Sequence, residues 1–112
     1  MGIKCEQYSQ ACVIAVEGDF TGESAALLRK TTEEQIDQRQ IVDFVIDFEK
    51  SGFIDSEGLE ALLSTKRRAE DLFGQLKLVG LDENCRKILE ITRLAQRFES
   101  HTDLESALKT MR

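Results

Sequence analysis

The chain has 112 residues, enough for one domain and too few for two. Its 41% hydrophobic and 32% charged content fits a soluble globular protein and argues against disorder; a domain of this size buries about two-thirds of its unfolded surface, so its core needs neither disulfides nor metal. A net charge of −6 lacks the basic face that nucleic acid or an anionic membrane requires and suits a basic protein partner, and no apolar run approaches the roughly 20 residues that span a bilayer.

The opening Met1-Gly2-Ile3-Lys4-Cys5-Glu6 lacks the apolar core of a signal peptide. Ile3 to Tyr8 alternates weakly, as an edge strand does, and Ser9-Gln10 is a turn signal. Ala11 to Val16 is a continuous apolar run rich in Val and Ile, suited to a strand buried on both faces. The two runs predict a hairpin. Glu17-Gly18-Asp19-Phe20-Thr21-Gly22 is a loop, either an ordinary connection or, through Asp19, Phe20 and Thr21, part of a binding surface at the end of the sheet.

A helix is predicted from about Glu23 to Gln38, with Ala25, Leu28 and Ile36 on one face and Thr21 or Gly22 as its cap. Ile41 to Phe48 reads as the central strand, dense in β-branched and aromatic residues. After the loop Glu49 to Gly52, Phe53 and Ile54 are expected to tuck under the domain. The next helix spans roughly Ser56 to Leu72, its apolar stripe formed by Leu59, Leu62, Leu63, Ala69 and Phe73, with Gly74 as its stop. Lys66, Arg67 and Arg68 suit the end of that helix better than a nucleic-acid patch.

Gln75 to Leu81 reads as a strand, and Asp82 caps a helix through about Ile91 with Cys85, Ile88 and Leu89 inward. Phe98-Glu99-Ser100 is a short last strand. Thr102-Asp103-Leu104-Glu105 matches a capping box with Thr102 at the cap, and Leu104, Ala107, Leu108 and Met111 form the stripe of a final helix. The order β-β-α-β-α-β-α-β-α implies an α/β domain with a mixed sheet of four to five strands and about four helices.

Phe53-Ile54-Asp55-Ser56-Glu57-Gly58-Leu59 is the centre of this arrangement. It places Asp-Ser at a helix start just after the central strand. There the Ser56 hydroxyl stands beside amides that have no partner inside the helix, a place that favours added negative charge. Taken alone, Asp55-Ser56 is equally an ordinary helix cap. Cys5, Cys12 and Cys85 are odd in number, lack CxxC spacing and read as reduced thiols of a cytoplasmic protein. His101 is the only histidine, so no metal or other cofactor is expected, and no cysteine or histidine has a triad partner nearby. There is also no ATP-binding glycine loop, so an enzyme is not expected.

Together these segments resemble the STAS domain, the fold of bacterial anti-sigma factor antagonists, over nearly all of residues 1–112. The likeness is carried by the hairpin leading to Glu17-Gly18-Asp19-Phe20, the strand Val42 to Phe48, the Ser56 turn, Leu76-Lys77-Leu78-Val79, Ile88 to Leu94 and the helix Asp103 to Leu108. The family's turn usually reads Asp-Ser-Ser-Gly or Asp-Ser-Thr-Gly, and its first serine is phosphorylated by a partner kinase. The resemblance therefore implies that Ser56 is the phosphoacceptor, that Asp55 and Gly58 are the turn's acid and glycine, and that Asp19, Phe20, Thr21, Asp55, Ser56, Glu57 and Gly58 contact the partner. Glu57 departs from the family's small hydroxyl residue, and Arg93 stands where the family often has glycine.

The resemblance implies partner switching. The unmodified protein binds an anti-sigma factor that is also a serine kinase, the sigma factor is freed, phosphorylation breaks the complex, and a phosphatase restores it. The same fold also serves as a STAS subunit of a lipid-transport ATPase complex, which needs no phosphoserine, and as a stressosome-type scaffold, which carries an added sensory domain. A response-regulator receiver is a further alternative, with Asp47 as phosphoacceptor, Glu17 and Asp19 as the acidic pair and Lys77 as the lysine.

Overall fold

The sheet owes its position to strands that are apolar on both faces. In a computed structural model, described over residues 2–111, the chain runs β1 (Gly2–Tyr8), β2 (Ala11–Glu17), α1 (Gly22–Arg39), β3 (Asp43–Lys50), α2 (Ser56–Asp71), β4 (Gln75–Val79), α3 (Glu83–Ile91), a 3-10 turn (Ala95–Arg97), β5 (Glu99–His101) and α4 (Leu104–Lys109). The strands form one sheet in the order β1-β2-β3-β4-β5. β1 is antiparallel to β2, and all later neighbours are parallel. This is the mixed α/β domain implied by the sequence. A receiver has the strand order 2-1-3-4-5, so that alternative falls.

Alternation along each strand divides the core. Cys12, Ile14, Val16, Phe44, Ile46, Phe48, Leu76 and Leu78 face the layer that contains α1, α2 and α3. Val13, Val45 and Val79 face α4, where they meet Ala107, Leu104, Leu108 and Met111. Burial on both sides explains why β2 reads as a continuous apolar run and β3 carries the consecutive Phe44, Val45 and Ile46. Because β2, β3 and β4 are parallel and each runs into a helix, their following loops gather at one rim of the sheet.

The structure corrects several expectations. The central strand begins at Asp43; Ile41 is buried but lies in the connection, after Gln40 turns left-handed at φ 56° to close α1. Asp103, not Thr102, caps α4, its carboxylate accepting from the Ser106 amide at 2.8 Å. Phe73 leaves the apolar stripe: it is 98% exposed, with φ 66°, because α2 ends at Asp71. Phe73 thus takes the left-handed turn that glycine usually supplies. Gly74 is required for another reason: a Cβ there would stand 1.9 Å from the Val42 carbonyl oxygen. Ile54 is buried as expected, but Phe53 is 41% exposed.

Arg93 closes α3 with φ 63°, its amide donating to the Glu90 carbonyl at 3.0 Å and the Leu94 amide to that of Leu89 at 2.8 Å. A non-glycine side chain is strained in that conformation. On the α4 side of the sheet, buried Lys77 donates to Glu99 at 2.8 Å and to the Thr110 hydroxyl, and Glu99 also bonds His101 at 2.7 Å. Lys77 first, and His101 second, hold the Glu99 carboxyl below its ordinary range.

Three outcomes follow from this packing. Gly74→Ala should lower stability by about 1–3 kcal/mol, the usual cost of overpacking, in chemical denaturation. Arg93→Gly should raise it by about 0.5–1 kcal/mol, the relief of a left-handed side chain less the added freedom of the unfolded chain. The depressed Glu99 group contributes stability above its unfolded value of about 4.3, and that contribution is lost as pH falls through the lower folded value. A Glu99→Gln variant should therefore be less stable at neutral pH and approach wild type in strong acid.

Candidate functional site

β2 and β3 continue to associate after they leave the sheet. The Gly18 amide donates to the Lys50 carbonyl at 3.0 Å, the Phe20 amide to that of Phe53 at 2.8 Å, and the Asp55 amide to that of Phe20 at 3.1 Å. Phe20 and Ile54 form an isolated parallel bridge. The Phe20 ring lies in the core, edge-on to Phe48 with centroids 5.7 Å apart. The two loops that carry the sequence's candidate residues are therefore one hydrogen-bonded unit.

Gly58 permits the closest contact of this unit. A Cβ at Gly58 would stand 2.5 Å from the Phe20 carbonyl oxygen and 2.8 Å from its ring. Only glycine lets the first turn of α2 settle against the neighbouring loop. Asp55 is the N-cap, its Oδ1 accepting from the Gly58 amide at 2.8 Å. Ser56 is the first residue of α2 and is exposed. The amides of Ser56 and Glu57 come before the first intrahelical donor, Leu59, so they have no acceptor within the helix, and they face the rim.

At α1, Thr21 takes the N-cap position and its amide donates to the Ser24 hydroxyl at 3.0 Å. Ser24 donates in turn to the carbonyls of Asp19 at 3.2 Å and Thr21 at 3.1 Å. Glu57 leans toward this turn. A Cβ at Gly22 would stand 2.9 Å from Glu57 Oε1 and 3.2 Å from Oε2. The carboxylate thus lies by the N-terminus of α1, where negative charge is favoured. Farther along the same pair of helices, Arg68 bonds Glu33 at 2.9 Å.

The loop after β4 supports the site from its other side. Asn84 Nδ2 donates to the Gly52 carbonyl at 2.7 Å, and the Cys85 thiol to that of Ser51 at 3.7 Å. Asp82 caps α3 through the Cys85 amide at 2.8 Å. Burial foremost, then Asp82 and more weakly Asp19, push the Cys85 thiol up to about 12, so it stays a neutral donor. Sequence reasoning placed Cys85 inward but did not connect Asn84 and Cys85 to the Ser56 loop.

Of the predicted partner-contacting residues, Asp19, Thr21, Asp55, Ser56 and Glu57 share this rim, and all are at least partly accessible. Phe20 and Gly58 do not offer surface. Both are buried, because the Phe20 ring completes the core and Gly58 abuts its backbone. Among the described residues, no group of three or more His, Cys, Asp and Glu side chains is placed to hold a metal. No described helix is long and apolar enough to cross a membrane.

Comparison with known proteins agrees with this geometry. The STAS domain profile matches residues 2–107, and the chain belongs to that family. No curated protein sequence matches it. Among solved structures, a putative anti-sigma factor antagonist from Thermotoga maritima superposes with a TM-score of 0.89 at 15% identity, covering 98% of this chain and 94% of that one. The anti-sigma factor antagonist SpoIIAA in its unphosphorylated form gives 0.83 at 22% identity, covering 96% and 94%. Bacillus SpoIIAA in its phosphorylated form gives 0.76 at 22%, covering 98% and 99%. A sulfate transporter family protein from Wolinella succinogenes gives 0.81 at 16%, covering 93% and 86%. At these identities the likeness is one of fold.

The contacts at the rim rank two glycines. Gly58→Ala should cost about 1–3 kcal/mol in urea unfolding, because rigid backbone blocks the new methyl group. Gly22→Ala should cost less, since the atoms it meets are the end of the flexible Glu57 side chain. Equal losses would contradict this account of the rim.

Proposed function

We propose that the protein is an anti-sigma factor antagonist that acts by partner switching in the cytoplasm, with Ser56 as its phosphoacceptor. The observation that carries this reading is an exposed serine at the first residue of α2, on a hydrogen-bonded pair of loops. The unmodified protein binds an anti-sigma factor that is also a serine kinase and so frees the sigma factor. The kinase transfers phosphate to Ser56, the complex separates, and a phosphatase restores the hydroxyl.

The electrostatics favour a switch in binding over a change of fold. A phosphate adds a charge of about −1.5 to −2. The amides at the start of α2 accommodate it in the free protein. In the complex, the kinase's nucleotide must reach Ser56 to deliver its γ-phosphate. After transfer, the phosphoserine faces the remaining phosphates of that nucleotide, with Asp55 and Glu57 close behind. Repulsion and desolvation then separate the partners.

A second reading is a STAS subunit of a membrane transporter complex, bound constitutively to an ATPase. It is favoured by Glu57, which stands where the family has a small hydroxyl residue, and by the likeness to the Wolinella protein.

Binding assays with the cell's anti-sigma factor kinase distinguish the two. Ser56→Asp should weaken binding by at least about tenfold, or 1.4 kcal/mol. Ser56→Ala should bind like wild type and stay bound when ATP is added. If both variants bind and release as wild type does, and the intact mass of protein from its own cells never shows phosphate, the constitutive reading stands.

A further inference from the structure

We infer that Phe53 is the aromatic anchor of a docking face on the Ser56 rim, and that this face fits a protein surface with an apolar socket edged by arginine or lysine. The inference rests on reading this rim as the partner-binding end of the domain, and it adds the chemistry of the partner.

Phe53 is exposed without being loose. It is 41% accessible, while the next residue, Ile54, is 2% accessible and Ser51, two residues before it, is 4% accessible. Its own carbonyl accepts from the Phe20 amide at 2.8 Å, and the preceding carbonyl, of Gly52, accepts from Asn84 at 2.7 Å. The backbone beneath the ring is fixed from the Phe20 loop and from the first turn of α3. With its backbone held, Phe53 has only two side-chain torsions to lose on binding, and exposed aromatic residues of this kind dominate the energetics of interfaces.

The groups around the loop specify the partner. Asp19 precedes Phe20, whose backbone pairs with Phe53. Asp55 follows two residues later, and Glu57 lies in the next turn. On the other flank, Asp82 Oδ2 lies 3.4 Å from where a Gly52 Cβ would stand. Asp19 and Asp82 both act on the Cys85 thiol, which donates to the Ser51 carbonyl beneath the loop. Carboxylates therefore edge the loop that carries the exposed ring, with Asp82 beside Gly52 and Asp19 next to the backbone partner of Phe53. The nearby cation, Lys50, is turned toward Glu17 at 4.0 Å. An apolar knob edged by carboxylates repels acidic surfaces and complements basic ones. A guanidinium can also lie on an aromatic face while bonding a carboxylate. In this arrangement Phe53, Asp19 and Asp82 hold the partner, and Ser56 decides when it is released.

The test places the photo-crosslinking amino acid p-benzoylphenylalanine at position 53 of the full chain, in its own cells, with position 73 as a control. Phe73 is also exposed but lies at the other end of α2, about 24 Å away along the 16-residue helix. Position 53 should capture a protein through a residue neighbouring arginine or lysine, and position 73 should not capture that protein. Capture should fall about fivefold or more when Asp19 and Asp82 are both changed to Asn, which keeps the α3 cap. With the captured partner purified, Phe53→Ala should weaken binding about 30-fold, while Phe53→Tyr retains it.

Failure to capture at 53, equal capture at 73, a captured surface without basic residues, or indifference to the Asn pair would each overturn the inference. The phosphate switch is judged separately by Ser56→Asp. Release by that variant with no effect of Phe53→Ala would leave the switch standing and remove the anchor. Loss of binding in Phe53→Ala with no effect of Ser56→Asp would do the reverse.

Discussion

The contact between Gly58 and the Phe20 backbone sets the geometry of the whole active end. It joins the start of a helix to a loop belonging to a different strand, at a separation that no Cβ allows. Phe20 contributes to the core with its ring and to the rim with its backbone. The same residue therefore ties the hydrophobic interior to the surface that carries Ser56. Anything that moved the ring away from Phe48 would shift the cap of α2 as well.

Much of this was legible in the chain, because burial leaves periodic traces. β2 reads as a continuous apolar run, and β3 is dense in β-branched and aromatic residues, because both of their faces are covered. The stripe of α2 was clear through Ala69. What escaped has local physical reasons. Phe53 and Ile54 are adjacent apolar residues in a loop, where no period says which one turns inward, and the bridge to Phe20 decides it. Phe73 satisfied the helical spacing, but the approach of Gly74 to Val42 ends the helix before it. At α4, Thr102 and Asp103 are both good caps, and the pairing of His101 into β5 moved the start by one residue. The support from Asn84 and Cys85 crosses more than thirty residues of sequence, and no short-range pattern records it.

Glu57 takes on a different meaning once its position is known. From the sequence it was an extra charge beside a candidate phosphoserine. In the structure its carboxylate lies over the first turn of α1, so the starts of the two helices stand side by side there. Farther down, at the same spacing along each helix, the Arg68–Glu33 pair joins them. The two helices run side by side without slip, and the charge at position 57 belongs to that alignment as much as to its neighbour.

The two outermost strands bear on how the domain behaves at high concentration. β5 is only three residues long, and one of them, Glu99, is engaged by Lys77 and His101. β1 is longer, but it carries Lys4 and Glu6 among mostly exposed positions. Short or charged borders are poor templates for another chain's backbone. With such borders the sheet offers a second copy of the chain little edge to extend, so the domain stays separate from its own copies even when crowded.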